Sequence, residues 1–183
     1  MIRSVPVTTD LVPALSDLAT ASFRETFGHL YPPEDLAAFL AKSYTPEKLL
    51  AETSDPTQYW RMWFDGDHAI AYVHLGPVTL PHAEADRQRH GEIKRIYVLQ
   101  SHQGQGLGRI ALSHALDYLT GTYGDAPQWL GVWSGNTKAQ GLYAKYGFER
   151  AGEYVFPVGQ TMDDEFILKR VTTAETPRHS PRS

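Results

Sequence analysis

The sequence predicts an α/β domain of the α+β kind: a mixed, mostly antiparallel central sheet with helices on both faces. Three observations predict it. Residues 59–64 and 68–76 are aromatic and β-branched runs on either side of Asp65-Gly66-Asp67, a hairpin signal. Residues 92–98 read as a strand, followed by the glycine-rich Gln103-Gly104-Gln105-Gly106-Leu107-Gly108-Arg109 and a helical run from Ile110. A further strand over 129–133 is followed by a helix opened by Asn136, and then by two more strands. Hairpins first and a strand-helix-strand-helix unit second make a mixed sheet.

In order along the chain, residues 2–5 read as a short opening strand. Thr9 or Asp10 caps a helix to about Arg24. Pro32-Pro33-Glu34-Asp35 places Pro in the first turn of a second helix ending near Lys42, and Thr45 caps a third that stops at Asp55-Pro56. After the hairpin, the polar stretch 77–91 is read as a loop free to move. The helix after the glycine turn ends at Gly124-Asp125-Ala126-Pro127, and the helix from Asn136 ends at Gly147. Strands over 148–156 and 162–169 are split by Pro157-Val158-Gly159. The division expected is one domain over 1–170 and a polar, proline-bearing tail over 171–183 without a catalytic role.

Bulk properties narrow the function. A chain of 183 residues can bury a real core. Its net charge of −4 lacks the basic face that nucleic acid requires and tolerates a cationic small molecule. The absence of cysteine removes disulfides, thiolate zinc sites and a cysteine nucleophile, so any thiol chemistry is borrowed from a cofactor. The eight histidines show no metal-ligand spacing, so no metal is expected. Neither a signal-peptide core nor an 18-residue apolar run is present, and a cytoplasmic protein with no membrane contact is expected.

A strand, a glycine turn and a helix start together form a nest of backbone N–H groups that holds phosphate. No Gly-Lys-Ser/Thr follows, which rules out a Walker A loop, and the third glycine of a dinucleotide fingerprint would fall on Arg109. What remains is Q-x-x-G-x-G read from Gln103. Gly106 and Gly108 admit a ligand close to the backbone, the helix dipole faces its anionic group, and Arg109 adds a positive charge. About thirty residues on, Asn136, Ala139 and Tyr143 lie three and four apart and share a helix face carrying an amide, a small gap and a phenol.

The order strand, Q-x-x-G-x-G, then N-x-x-A-x-x-x-Y-x-K-x-G-F resembles the GNAT N-acetyltransferase superfamily, in motif over 92–148 and in element order over 1–170. The resemblance implies the acyl-CoA N-acyltransferase fold, acetyl-CoA as co-substrate and an amine acceptor. It implies that the backbone of Ile96, Tyr97 and Val98 binds the pantetheine arm as a pseudo-strand, and that Gln103, Gly104, Gln105, Gly106, Leu107, Gly108 and Arg109 take the pyrophosphate. Asn136, Ala139 and Tyr143 then meet the pantetheine and the thioester sulfur. Lys145 lies near the 3′-phosphate end or on the helix surface.

Only a neutral amine attacks a thioester, and at pH 7 an alkyl amine of pKa about 10.4 is neutral in roughly one molecule in a few thousand. A base must collect the proton, and the departing thiolate gains from a donor such as Tyr143. Glu92 is the base candidate: six residues before Val98, it is expected on the same sheet face as Lys94, Ile96 and Val98. Histone acetyltransferases of the superfamily are similar, with a base glutamate at that spacing. The Val98 N–H would hold the developing oxyanion.

Phe23-Arg24-Glu25-Thr26-Phe27-Gly28-His29, Asp35-Leu36, Gly131-Val132-Trp133 and Phe156-Pro157-Val158-Gly159 resemble, more loosely, the PaiA-type spermine/spermidine N-acetyltransferases. Where those enzymes have a glutamine-rich stretch, this chain has Gln160-Thr161-Met162. The resemblance implies that the first helices line the acceptor side, with Phe27, Tyr31 and Tyr97 as aromatic walls for a cation and Glu25 and Glu34 as acidic steering. The acceptor expected is a small amine such as a polyamine, and the protein a monomer or homodimer. A protein or peptide acetylase and a non-catalytic acyl-CoA sensor are the alternatives; an open groove beside Tyr97 favours the former and a closed aromatic pocket a small amine.

Overall fold

A computed structural model describes residues 1–172. Seven strands form one sheet in the order β1-β2-β3-β4-β5-β7-β6, antiparallel except for the parallel pair β4 and β5. The strands are β1 (Ile2–Pro6), β2 (Tyr59–Asp65), β3 (His68–Pro77), β4 (Gly91–Val98), β5 (Gln128–Trp133), β6 (Phe148–Val158) and β7 (Thr161–Arg170). Helices α1 (Val12–Phe27), α2 (Pro33–Ser43) and α3 (Pro46–Ser54) separate β1 from β2; α4 (Leu107–Tyr123) and α5 (Thr137–Lys145) bracket β5. The expected tail lies outside the described residues from 173 onward; Thr172 Oγ1 still donates to the Asp125 carbonyl at 2.6 Å.

Each face of the sheet has its own core. On one, Ala71, Val73, Leu75 and Ile93 meet Leu107, Ala111, Leu112, Ala115, Leu116 and Leu119, whose spacing keeps one stripe of α4 on the sheet. Each such leucine contributes about 1.5–3 kcal/mol on burial. On the other, Trp60, Met62, Phe64 and Tyr72 meet Leu15, Leu18, Phe23, Leu40 and Leu49 from α1, α2 and α3. The alternation of β3 between the two clusters is the period-two pleat.

Local chemistry explains most boundaries. Thr45 caps α3 as expected, its Oγ1 accepting from Lys48 N–H at 3.3 Å. Thr9 and Asp10 do not cap α1. A 3-10 turn occupies Thr9–Leu11, and α1 opens on Val12 with Pro13 in its first turn, where a missing N–H costs nothing. It also runs beyond Arg24 to Phe27. Pro157 does not divide the last hairpin: β6 continues to Val158 and the turn falls at Gly159-Gln160. Proline is tolerated because β6 is the edge strand. The loop 78–90 is anchored rather than free: Val78 N–H donates to His90 O at 3.0 Å, and Trp129 Nε1 donates to His90 Nδ1 at 3.2 Å.

The pairing of β3 with β4 corrects the expected orientation of Glu92. His74 faces Arg95 and Leu75 faces Ile93, so Lys94 is an extra residue, a β-bulge. A bulge inverts the alternation beyond it. Ile93, Ile96 and Val98 pack on the α4 side, whereas Tyr97 and Leu99 pack on the α1–α3 side. Glu92, on the pleat opposite Ile93, therefore shares a face with Tyr97 and not with Ile96 or Val98. Lys94 in the bulge reaches back to it, with Nζ 3.2 Å from Glu92 Oε2.

Candidate active site

Strands β4 and β5 pair over only three rungs, Gly91 with Gln128, Glu92 with Trp129 and Ile93 with Leu130. Beyond them β4 runs on to Val98 and β5 to Trp133 without pairing, so the sheet splits. A cavity of about 810 Å³ occupies the split. Its lining comes from both sheet faces: Ile93, Ile96, Val132 and Tyr143 from the α4–α5 side, Phe27 and Tyr97 from the α1 side. The cavity thus joins the two faces through the sheet.

The edge of β4 along the split is polar backbone. Leu99 N–H donates to Ile70 O of β3 at 2.9 Å. Alternation then turns the N–H and C=O of Val98 and Ile96 away from β3, into the split. The Val98 carbonyl is met there by the Gln103 side chain, Nε2 at 2.9 Å, while Gln103 Oε1 accepts from Lys138 Nζ at 3.3 Å. Glu25 fastens the strand end to α1: its Oε2 accepts from Gln100 N–H at 2.8 Å.

The glycine turn follows. Gly104 and Gly106 have φ of +77° and +84°, a conformation glycine adopts without strain. Gly106 caps α4, and its carbonyl accepts from Arg109 and Ile110 N–H, both at 3.1 Å. The N–H groups of residues 104–108 donate to no group among the described residues. Five successive free donors at a helix N-terminus are the nest expected from the sequence. A Cβ on Gly108 would have nothing nearer than Leu142 at 4.0 Å, leaving room over the helix end. Arg109 and Lys145 are exposed and pair with no carboxylate among the described residues. Lys145 does not line the cavity.

On α5, Asn136 Oδ1 accepts from Ala139 N–H at 3.2 Å, so the asparagine caps its own helix and leaves its amide N–H groups for the cavity it lines. Ala139 packs on the α4 core. Tyr143 is 8% exposed and lines the cavity, its ring edge-on to Phe148. Burial raises its pKa above the ordinary phenol value, which keeps it protonated.

The other half of the cavity is aromatic. Phe27 stands edge-on to both Tyr97 and Trp133 at 6.3 and 6.1 Å. Tyr31 is stacked with Phe23 and donates to Asp163 of β7. Burial, and then the hydrogen bond to Asp163 and its charge, raise the Tyr31 pKa. Asp35 of α2 accepts from Gln160 N–H at 2.9 Å and Thr161 Oγ1 at 2.7 Å. The β6–β7 hairpin is therefore tied to the α1–α2 region. Glu92 Oε2 accepts from Thr79 N–H at 2.8 Å, Thr79 Oγ1 at 3.1 Å and Lys94 Nζ at 3.2 Å. The expected Glu25 is committed to Gln100, and Glu34 is exposed on α2.

Sequence reasoning missed three groups here. Arg95 lines the cavity, pairs with Glu52 at 3.1 Å and lies over the Tyr44 ring at 5.2 Å. Glu165 of β7 accepts from Tyr154 Oη of β6 at 2.6 Å, and both line the cavity. Lys138 reaches the glycine turn as described. The cross-strand pair of Tyr154 with Glu165 follows from counting back from the turn at Gly159-Gln160, a signal that a strand ending before Pro157 hides.

A split parallel pair, a free strand edge and a phosphate nest at the following helix define an acetyltransferase of the GNAT class. The chain belongs to it: the acetyltransferase (GNAT) family matches residues 12–148. An uncharacterized N-acetyltransferase from the pepI 3′ region of Lactobacillus delbrueckii subsp. lactis is 32% identical over 169 residues, 92% of this chain and 96% of that protein. Among solved structures, PaiA N-acetyltransferase of Thermoplasma acidophilum in complex with coenzyme A superposes with TM-score 0.74 at 19% identity, covering 93% of this chain and 99% of that one. A ribosomal-protein-alanine N-acetyltransferase from Brucella melitensis gives 0.68 at 19% identity over 93% and 99%. These likenesses carry the fold. Among the described residues no helix is long and apolar enough to cross a membrane.

Proposed function

We propose that the protein transfers the acetyl group of acetyl-CoA to a small primary amine, such as a polyamine, by direct attack of the amine on the thioester. The pyrophosphate rests on the free N–H groups of residues 104–108, with Gln103, Lys138 and Arg109 around it. The pantetheine pairs with the exposed edge of Ile96, Tyr97 and Val98, for which Gln103 releases the Val98 carbonyl. The Val98 N–H, turned into the split, stabilises the oxyanion. Tyr143, kept protonated by burial, gives a proton to the departing sulfur. Asn136 and Ala139 shape the slot, and Lys145 stays on the helix surface toward the 3′-phosphate. Glu92, on the acceptor face, is the base candidate that draws the amine proton through water and returns it to solvent.

One observation supports a small amine over a peptide: the ties from Tyr31 to Asp163 and from Asp35 to Gln160 and Thr161 hold the β6–β7 hairpin against the α1–α2 region, giving the acceptor half of the cavity aromatic walls. Phe27, Tyr31 and Tyr97 then form its cation-binding walls. A cavity of about 810 Å³ is in the range of small-molecule sites.

The test is thiol release from acetyl-CoA against polyamines, amino acids, aminoglycosides and peptides, with calorimetry of coenzyme A binding beside it. Turnover of spermidine without turnover of peptides is expected. Activity confined to peptides overturns the small-amine assignment. Coenzyme A binding with no acceptor at all turns the assignment into an acyl-CoA sensor.

A further inference from the structure

We propose that Glu165, held by Tyr154, is the carboxylate that receives the acceptor's ammonium group and takes its first proton before the nitrogen attacks. The inference rests on the acetyltransferase reading and adds to it the group that binds and deprotonates the amine.

Position is the first argument. Glu165 on β7 faces Trp133 on β5, and its Oε2 is bonded to Tyr154 Oη at 2.6 Å. The pair lies directly over Gly131: a Cβ there would stand 2.4 Å from Tyr154 Oη and 3.3 Å from Glu165 Oε2. Gly131 is the first residue of β5 beyond the last rung shared with β4. The carboxylate therefore sits at the apex of the split, where the donor half of the cavity, with Tyr143, meets the aromatic acceptor half.

Charge is the second. Of the other carboxylates lining the cavity, Glu92 has Lys94 at 3.2 Å, Glu52 has Arg95 at 3.1 Å and Lys48 at 3.9 Å, and Asp55, at the end of α3, accepts from Thr57 N–H and Oγ1 at 2.8 and 2.7 Å. Glu165 forms no ion pair among the described residues. The titratable groups around it are Tyr154 of β6, Asp163 of its own strand, Tyr31 beyond α1 and Tyr97 of β4, with Glu92 on the far side of Tyr154. None is a cation. A largely buried carboxylate beside another anion is costly to keep charged. Burial chiefly, and Asp163 in addition, push its pKa above the ordinary glutamate value, against the pull of the Tyr154 hydrogen bond. An ammonium entering the aromatic pocket supplies the missing counter-charge, and a raised carboxylate is the better proton acceptor.

The steps balance. The ammonium gives one proton to Glu165. The freed lone pair forms the C–N bond to the thioester carbonyl carbon, and the C–S electron pair leaves with sulfur. Tyr143 delivers its proton to sulfur, the second nitrogen proton passes through water to Tyr143 and restores the phenol, and Glu165 discharges its own proton to solvent past Tyr154 and Glu92. The products are the acetamide, the free thiol and one released proton.

The test compares the full chain with E165Q, Y154F and E92Q, using n-butylammonium as the probe amine. Calorimetry with coenzyme A reads the donor site; a wild type that fails to bind it sinks the acetyltransferase reading itself, separately from this inference. Carboxyl carbon NMR reads Glu165 directly. It is expected to titrate above the ordinary glutamate value of about 4.3, higher still in Y154F, and lower when butylammonium is bound. E165Q should bind coenzyme A as the wild type does, lose amine binding about 10-fold or more, and lose about 100-fold or more in thiol release, with the acidic limb of the pH–rate profile gone. The inference is overturned if Glu165 titrates in the ordinary range, if its resonance ignores the amine, or if E165Q keeps the wild-type profile while E92Q loses it.

Discussion

Acidification should destabilise this protein through one histidine whose contribution can be isolated. His74 is 5% exposed, stacked on Trp60 at 3.7 Å, and bonded through Nε2 to Gln58 Oε1 at 2.8 Å, with Nδ1 unpaired. Opposite it on β4 stands Arg95, with Lys94 in the bulge beside it. Burial first, then these two positive charges, hold its pKa down at about 2. In the unfolded chain the same imidazole takes up a proton near pH 6.5. Its contribution to stability is therefore full above about pH 6.5 and is lost as the pH falls below that value. At about pH 5.5 the unfolded state gains a factor of 11 from protonation, or about 1.4 kcal/mol, and at about pH 4.5 about 2.7 kcal/mol.

Urea denaturation of the wild type and His74→Gln at about pH 7.5 and 5.5 measures this. Carboxylate titrations act alike in both proteins and cancel in the difference; Glu165, with its raised pKa, acts in the opposite sense, stabilising at low pH. The wild type should lose about 1.4 kcal/mol more than the variant over that interval. Equal losses would mean that His74 protonates in the folded state at an ordinary pH, and the argument from burial and charge would fail.

Three further outcomes follow from the site. Gly108→Val should fold normally, because nothing lies within contact of its Cβ except Leu142 at 4.0 Å, yet weaken coenzyme A binding about 10-fold or more by filling the space over the helix end; calorimetry and a thermal melt separate the two effects. Tyr143→Phe should leave coenzyme A affinity unchanged and lower kcat by about 100-fold; unchanged kcat would move the proton donor elsewhere. Gly131→Ala should cost about 1–3 kcal/mol by driving a methyl into Tyr154 Oη, 2.4 Å away, and adding Tyr154→Phe should recover part of it in thermal melts, whereas purely additive losses would place the clash elsewhere.

What could be read from the sequence was local. Gln103 to Arg109 and Asn136 to Gly147 each form their structure from neighbours a few residues apart, so the free N–H groups and the Asn136 cap follow from spacing alone. The bulge at Lys94 depends on a partner strand twenty residues earlier, and one extra residue leaves no mark on a strand of eight. The histidines show the same limit. Their spacing suggested no task, yet His90 Nδ1 accepts from Trp129 and from Asp86 N–H, and His82 Nε2 donates to Ala151 O. These bonds fasten the loop that presents Thr79 to Glu92, and those to Trp129 and Ala151 join residues that only the folded sheet brings together.

The bulge and the split depend on each other for their effect. With unbroken alternation, Glu92 would face the same side as Ile96 and Val98, into the α4 core, where a carboxylate has no partner and no route to water. The extra residue turns Glu92 and Tyr97 toward α1–α3 while Ile96 and Val98 keep the α4 side. Parting the strands just beyond the bulge opens a passage between those faces, through which the proposed donor on the α4 side and the proposed acceptor on the α1 side reach each other. Gly131 completes the arrangement from β5: lacking a side chain, it lets a tyrosine and a carboxylate from two further strands lie across the opening. Attack on a thioester carbonyl comes at a face of the plane that contains the carbonyl and its sulfur, and a passage through the sheet gives the amine access to that face.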